Sequence, residues 1–432
     1  MEKKRLFHGC KLIVLVLITT ITLGGCATLG RKTQVVPPEN QWHVRMIDSE
    51  MHRRPEAWML DFERELKWNY THGLVLMATL RVWELTGEQK YFDYVQDYYD
   101  AMLDAQGNIL HNFNLANHNI DHIKPGINLF DLYEHTGDQR YLNAIRILRE
   151  KLRTYPRTTE GGFWHKRVYP HQLWLDGVYM HAAFYARYGK VFGDTAAFND
   201  VLHQITLVER VTRCEETGLL FHAWDETRRH LWADPITGRS PNFWGRAIGW
   251  YIMALVDALD YFPPDHRGVP IIRATLQRLV DALIPFQDST GLWYLVVDQM
   301  DRPGNYHEAS STSMFAYAIA KGVNNGHLDP KYMKVAERAY QGLLDHLVSI
   351  DENGHIHLNQ IIGVAGLGGN PAPYRDGSFE YYISEPIRPN DPKGVGPFML
   401  LSMEMERAGL QKTRRPWEIE MIRSGLPITR RP

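Results

Sequence analysis

Two aspartates stand in surroundings unusual for carboxylates: Asp176 in Trp174-Leu175-Asp176-Gly177-Val178-Tyr179-Met180, and Asp121 in Asn119-Ile120-Asp121-His122. From Leu175 the residues Val178, Tyr179 and Ala182 fall at helical spacing, so Asp176 rides at the start of a helix with Tyr179 and Met180 one turn on. Aromatic and thioether surface disfavours the charged form of a carboxyl and makes a proton donor available near neutrality. The competing reading is a helix N-cap, which accounts for most Asp residues at helix starts. His165 in Phe163-Trp164-His165 and His222 in Phe221-His222-Ala223-Trp224 lie in loops flanked by aromatic residues, as candidates for binding or proton transfer. Arg246 and Trp250 stand four apart, which puts guanidinium and indole on one helical face with Gly249 between them to admit a close neighbour. That pair reads as a carboxylate-binding arm beside a stacking ring, or equally as an arginine satisfying a neighbouring helix terminus. Glu308, with Ser310, Ser311 and Thr312, reads as a cap, and Asp391 and Lys393 as structural. Metal-ligand spacing, a Gly-rich phosphate loop and a Gly-x-Ser-x-Gly elbow do not occur, so no metal or cofactor is called for.

The elements that must position these residues are helical. Apolar periodicity near 3.6 predicts helices near 51–67, 70–86, 88–104, 125–136, 138–153, 172–189, 195–213, 243–262, 267–286, 308–323, 330–349 and 393–409, without sustained strand alternation. Gly87, Gly137 and Gly193 end helices in a weak repeat of roughly 50 residues, each expected in the left-handed C′ conformation and each followed by an acid that caps the next helix. Alternate helices differ in kind. The fifth, around Tyr141-Leu142-Asn143-Ala144-Ile145-Arg146, is amphipathic, whereas Trp250-Tyr251-Ile252-Met253-Ala254-Leu255-Val256 in the eighth is apolar all round and is therefore buried all round. The arrangement that satisfies both is all-α, an (α/α)6 barrel of six helical hairpins in a single domain, with the apolar helices inside. The polar clusters then share an address. Tyr70 after Trp68-Asn69, Asp121, Asp176, Trp244 with Arg246, Glu308 and Asp391 all lie where inner helices begin, and those N-termini meet at one mouth with partial positive charge.

The N-terminus reads as an export signal. Lys3, Lys4, Arg5 and Lys11 precede an apolar run from Leu12 to Leu23, too short to span a bilayer permanently, and the run ends in Leu23-Gly24-Gly25-Cys26. That ending resembles a lipoprotein lipobox, which implies signal residues 1–25, lipidation at Cys26, a tether over 26–50 and a catalytic domain over 51–432. The resulting expectation is a cell-envelope protein of a Gram-negative bacterium, periplasmic or outer-membrane, touching the membrane through that lipid alone. Among three cysteines only Cys214 would remain free in the mature chain, which leaves no internal disulfide. With 48 Lys and Arg against 50 Asp and Glu the chain offers no electrostatic footprint for nucleic acid. The aromatic content, 12% with 12 Trp and 22 Tyr, is enough to line a sugar site as well as a core.

Taken in order, Asp121 in Asn-Ile-Asp-His, His165 in Phe-Trp-His, Asp176 in Leu-Trp-Leu-Asp-Gly-Val-Tyr-Met, His222 in Phe-His-Ala-Trp-Asp and Trp244-Gly245-Arg246 with Gly249-Trp250 resemble glycoside hydrolase family 105, the unsaturated rhamnogalacturonyl hydrolases. Ser311-Thr312-Ser313-Met314-Phe315 and Lys393-Gly394-Val395-Gly396-Pro397-Phe398 fit as well, so the likeness runs over roughly residues 50–410. One departure is Ala247-Ile248, where the family commonly has a small or polar pair. The resemblance implies a cofactor-free hydrolase that takes a lyase-generated oligosaccharide and removes its 4,5-unsaturated uronic acid by hydrating the C4–C5 double bond. It implies Asp176 as general acid/base, Asp121 as a second carboxylate whose charge favours the protonated form of Asp176, and a sugar site lined by His165, His222, Arg246, Trp174, Trp244, Trp250 and Tyr70. An unsaturated glucuronyl hydrolase acting on glycosaminoglycan or other polyuronide fragments is the neighbouring reading, and a non-catalytic glycan-binding lipoprotein the reading from another class.

Overall fold

The computed structural model describes residues 41–369 and 374–413. The signal segment, Cys26 and tether residues 26–40 lie outside the described residues, as does 414–432. Among the described residues the first helix is α1 (Trp42–Arg53), which buries Val44, Met46 and Ile47. Residues 42–50, expected in the tether, are therefore part of the folded body. The expected first helix at 51–67 is instead the end of α1 followed by a 3₁₀ turn at Ala57–Phe62.

The other helices follow the predicted pattern closely. They are α2 (Tyr70–Thr86), α3 (Gln89–Met102), α4 (Gly126–Thr136), α5 (Gln139–Arg153), then strand β1 (Gln172–Trp174) running straight into α6 (Leu175–Phe192), and α7 (Thr195–Thr212). After strand β2 (Ala223–Asp225) come α8 (Gly245–Leu259), α9 (Gly268–Leu283), α10 (Ala309–Asn324) and α11 (Met333–Gly342). A hairpin of β3 (Val348–Ile350) and β4 (Ile356–Leu358), the short α12 (Phe379–Ser384) and α13 (Pro392–Thr413) complete the order. Gly87, Gly137 and Gly193 do end their helices at φ of 70°, 72° and 69°. Of the acids after them only Asp138 caps with its side chain, accepting from the Arg140 amide.

Inner helices α2, α4, α6, α8, α10 and α13 touch in that order, and α13 returns to α2, so the ring closes. Each pairs with an outer partner: α2 with α3, α4 with α5, α6 with α7, α8 with α9, α10 with α11, and α13 with α1. All residues of α8 and α10 are buried, whereas α5 buries one stripe led by Tyr141, Ile145 and Leu148. This is the (α/α)6 barrel. Close contact between α8 and α10 depends on Gly249, where a Cβ would stand 2.5 Å from Met314 Sδ. The two strand pairs escape a periodicity reading because each strand has three residues.

Candidate active site

Asp176 is the second residue of α6, and its position is set by β1, which pairs antiparallel with β2 in the register Trp174↔Ala223. The Leu175 amide donates to the His222 carbonyl (3.1 Å), so the pairing delivers His222 to the start of α6. His222 Nε2 lies 3.4 Å from Asp176 Oδ2, and Nδ1 lies 2.8 Å from the Tyr382 hydroxyl. Neither His222 Nε2 nor Asp176 Oδ2 has a hydrogen-bond partner, and Asp176 does not cap its helix. The ionisable side chain against the carboxyl is an imidazole. Tyr179, expected beside Asp176, instead stacks on Trp250 at 4.9 Å.

Asp121 lies in a 3₁₀ turn, Ile120–Ile123, whose start is fixed by the Asn119 side chain accepting from the Asp121 amide. The Ile120 amide donates to the His165 carbonyl (3.2 Å), which brings the Phe163–Lys166 segment alongside. Asp121 Oδ2 meets Lys166 Nζ at 2.6 Å and Oδ1 meets His165 Nε2 at 3.8 Å. Burial pushes the Asp121 carboxyl up, but Lys166 and His165 outweigh it and hold it below the ordinary aspartate value. Burial lowers His165 to about 4, so its ring is neutral at physiological pH. Lys166, although burial opposes its charge, is kept above the usual lysine value by Asp121. Asp121 is thus one half of an ion pair with Lys166 rather than a lone anion.

His165 links the carboxylates. Its Nε2 faces Asp121, its Nδ1 is 3.5 Å from where a Cβ on Gly177 would stand, and both Asp121 and Asp176 act on it electrostatically. Its ring lies flat on Trp174 at 4.4 Å and 5°, and Tyr169 stacks on the same indole at 5.0 Å. Trp244 stacks on Tyr382 at 5.6 Å and approaches His222 at 4.7 Å. Half-buried Tyr70, the first residue of α2, meets Trp250 edge-on at 6.0 Å. These rings stand around His165, His222 and the start of α2.

Arg246 does not. Its Nη1 and Nη2 donate to the Ile362 and Gly363 carbonyls at 2.5 and 2.8 Å, it is 1% exposed, and the Ile362 amide is held in turn by Glu308. Arg246 is a clamp on the loop before α12 rather than an arm reaching for a substrate carboxylate. Glu308 is the expected cap, accepting from the Ser311 amide, and Lys393 is held between Asp391 and Asp61. Sequence reasoning passed over Lys166 and Tyr382. Lys166 directly follows a singled-out histidine; Tyr382 carried no local signal at all.

A profile of the family described as Glycosyl Hydrolase Family 88 matches residues 42–409. The chain is 28% identical over 302 residues, 68% of its length and 80% of the relative's, to the unsaturated rhamnogalacturonyl hydrolase YesR of Bacillus subtilis. A family 105 glycoside hydrolase structure from C. acetobutylicum superposes with a TM-score of 0.81 at 42% identity, covering 85% of this chain and 99% of that one. The unsaturated glucuronyl hydrolase of Bacillus sp. GL1 shares the fold at 13% identity with a TM-score of 0.60. A barrel that gathers two aspartates, two histidines and a lysine among stacked aromatics at its N-terminal mouth, with a family match over nearly all of its described length, places the chain in Glycosyl Hydrolase Family 88 as a glycoside hydrolase.

Proposed function

We propose that this enzyme removes the 4,5-unsaturated uronic acid from the non-reducing end of oligosaccharides left by a polysaccharide lyase, with fragments of the rhamnogalacturonan type as substrate. The observation that carries the reading is Asp176, a half-buried carboxyl at a helix N-terminus whose buried Oδ2 has no hydrogen-bond partner and faces His222. Asp176 gives its proton to C4 while a water adds to C5 and returns one of its protons to the carboxylate. The C5 hemiketal so formed opens by breaking the bond to the ring oxygen, and the hemiacetal at C1 then expels the aglycone. The alkene is attacked first, so the carboxylate separation rules of ordinary glycosidases do not govern the outcome. Asp121, fixed by Lys166, holds sugar hydroxyls or the attacking water. Trp174 and Trp244, both buried, pack on His165 and His222 and fix those rings, and Lys166 supplies positive charge for the uronate.

The test is a panel of lyase-generated unsaturated disaccharides followed by loss of the ultraviolet band of the conjugated uronate. Wild type consumes the rhamnose-linked member fastest and Asp176→Asn leaves the band unchanged with the fold intact. Undiminished turnover in that variant removes Asp176 from the chemistry, preference for glycosaminoglycan disaccharides moves the substrate class, and binding without turnover makes the protein a glycan receptor. The lipobox-like Leu23-Gly24-Gly25-Cys26 further supports anchoring in the cell envelope through a lipid on Cys26. Cys26→Ser then moves the protein from the membrane to the soluble fraction.

A further inference from the structure

Tyr382 belongs to α12, six residues capped by Ser378, whose side chain accepts from the Tyr381 amide. The two tyrosines of this helix point to different tasks. The Tyr381 hydroxyl accepts from the Gly366 amide (2.9 Å) and so ties down the loop. Tyr382 is fully buried, stacks on Trp244 and places its hydroxyl 2.8 Å from His222 Nδ1. Burial first, then the neighbouring Tyr381 and Asp176, push the Tyr382 phenol well above its ordinary value, so it keeps its hydrogen. A phenol that keeps its hydrogen and donates it to one nitrogen of an imidazole leaves the ring hydrogen on the other nitrogen.

We propose that Tyr382 is a positioning residue that acts through His222: by donating to Nδ1 it holds the ring hydrogen on Nε2, aimed at Asp176 Oδ2. The groups around this pair are few. His222 faces Asp176 and Tyr382 across hydrogen-bonding distance or slightly more, with Trp174 edge-on at 5.1 Å and Trp244 at 4.7 Å. His165 acts electrostatically on Asp176 and His222, Lys166 on Asp176, and Asp376 on Tyr382. As Asp176 hands its proton to C4, charge grows on a carboxylate already facing an N–H, and the contact tightens from 3.4 Å without any proton leaving His222 or Tyr382. The water attacking C5 then restores the proton on Asp176, so the Tyr382–His222 pair ends the cycle as it began. This step rests on the alkene hydration proposed above.

The experiment is Tyr382→Phe, which removes one oxygen and leaves the stack on Trp244. We expect kcat to fall about tenfold with KM within twofold, the scale of one lost hydrogen bond, and the pH profile of kcat/KM to move upward by about half a unit because a donor to the carboxylate is weakened. His222→Gln supplies a donor near Nε2 that does not depend on Tyr382, so adding Tyr382→Phe to it changes kcat less than twofold. Nitrogen-15 spectra, assigned for His222 by difference, show the hydrogen on Nε2 in wild type and a mixture in Tyr382→Phe. An unchanged tautomer and pH profile, or the same loss in both backgrounds, overturns the proposal. If wild type consumes no unsaturated uronide, the reaction itself is wrong, and the tautomer measurement still decides what Tyr382 does.

Discussion

Arg246→Met separates a structural clamp from a substrate-binding arm. The guanidinium donates to the carbonyls of Ile362 and Gly363, both buried, and methionine keeps the stem while removing both donors. An unsatisfied buried carbonyl costs about 1–3 kcal/mol, so two cost about 4 kcal/mol before any relaxation. Unfolding entropy of about 2.1 cal/mol/K per residue over a body of roughly 370 residues gives about 0.8 kcal/mol per degree, and the midpoint therefore drops by roughly 5 °C. The loop keeps its other anchors, Ile362 amide to Glu308, Gly363 amide to the Pro386 carbonyl and Arg388 amide to the Ile361 carbonyl. The barrel consequently still folds, and kcat/KM falls through displaced α12 contacts rather than through lost binding charge. Differential scanning calorimetry with disaccharide kinetics on the same preparation measures both quantities. A midpoint within about 1 °C of wild type, together with a KM raised more than about tenfold at constant kcat, would refute the clamp and restore the arm.

Three further outcomes follow from groups elsewhere in the barrel. Lys124 is 1% exposed, with its ammonium 4.0 Å from the Tyr179 ring centroid and 3.6 Å from Met77 Sδ, and burial lowers it to about 8. Between that value and the ordinary lysine value the unfolded chain binds the extra proton, so stability rises with pH across this window; Lys124→Met accordingly raises stability at pH 7 by about 2 kcal/mol, with the advantage fading above about pH 10 in denaturant titrations. Gly249→Ala forces a Cβ to 2.5 Å from Met314 Sδ and 2.9 Å from Met314 Cβ and destabilises by about 1–3 kcal/mol; adding Met314→Ala makes the double variant more stable than the sum of the two singles, and simple additivity would refute the clash. Lys166→Met frees Asp121 from the cation that outweighs its burial. A depressed carboxyl stabilises above its unfolded value and loses that contribution as pH falls through the folded one, so this variant begins acid unfolding at higher pH than wild type, followed by circular dichroism.

The sequence carried the helices because their signals are local and repeated. The span 70–86 was legible to the residue, its end marked by Gly87 at φ 70°. The first helix was misplaced although Val44, Ile47 and Met51 keep helical spacing, because a Thr-, Pro- and Asn-rich stretch just before it suggested a tether reaching to residue 50. α12 is shorter than two turns and shows no period to detect. In the site, Asp121, Asp176 and the two histidines were legible from residue type and aromatic context, but their partnerships were not. His222 reaches Asp176 only through the β1–β2 register, and Tyr382 reaches His222 across 160 residues of chain. The helical spacing of Arg246 and Trp250 correctly put them on one face, yet a spacing rule says nothing about the loop 116 residues away that occupies the guanidinium.

The two carboxylates have opposite partners, and under the proposed reaction that difference divides their roles. Asp121 has a cation at 2.6 Å, which fixes it as an anion and as an acceptor for hydroxyls or water. Asp176 has no cation in contact, only a histidine whose other nitrogen faces a buried phenol, so the proposed proton transfer would break no ion pair. Two carboxylates tuned by mutual repulsion would each move when the other titrates. Here Asp121 is paired with Lys166, whereas Asp176 faces His222 and, through it, Tyr382. It follows that substitutions on the Lys166 side change substrate binding and acid stability, whereas substitutions on the Tyr382 side change kcat and its pH dependence. A variant set in which Lys166→Met shifted the kcat pH profile more than Tyr382→Phe would show that this division of roles is wrong.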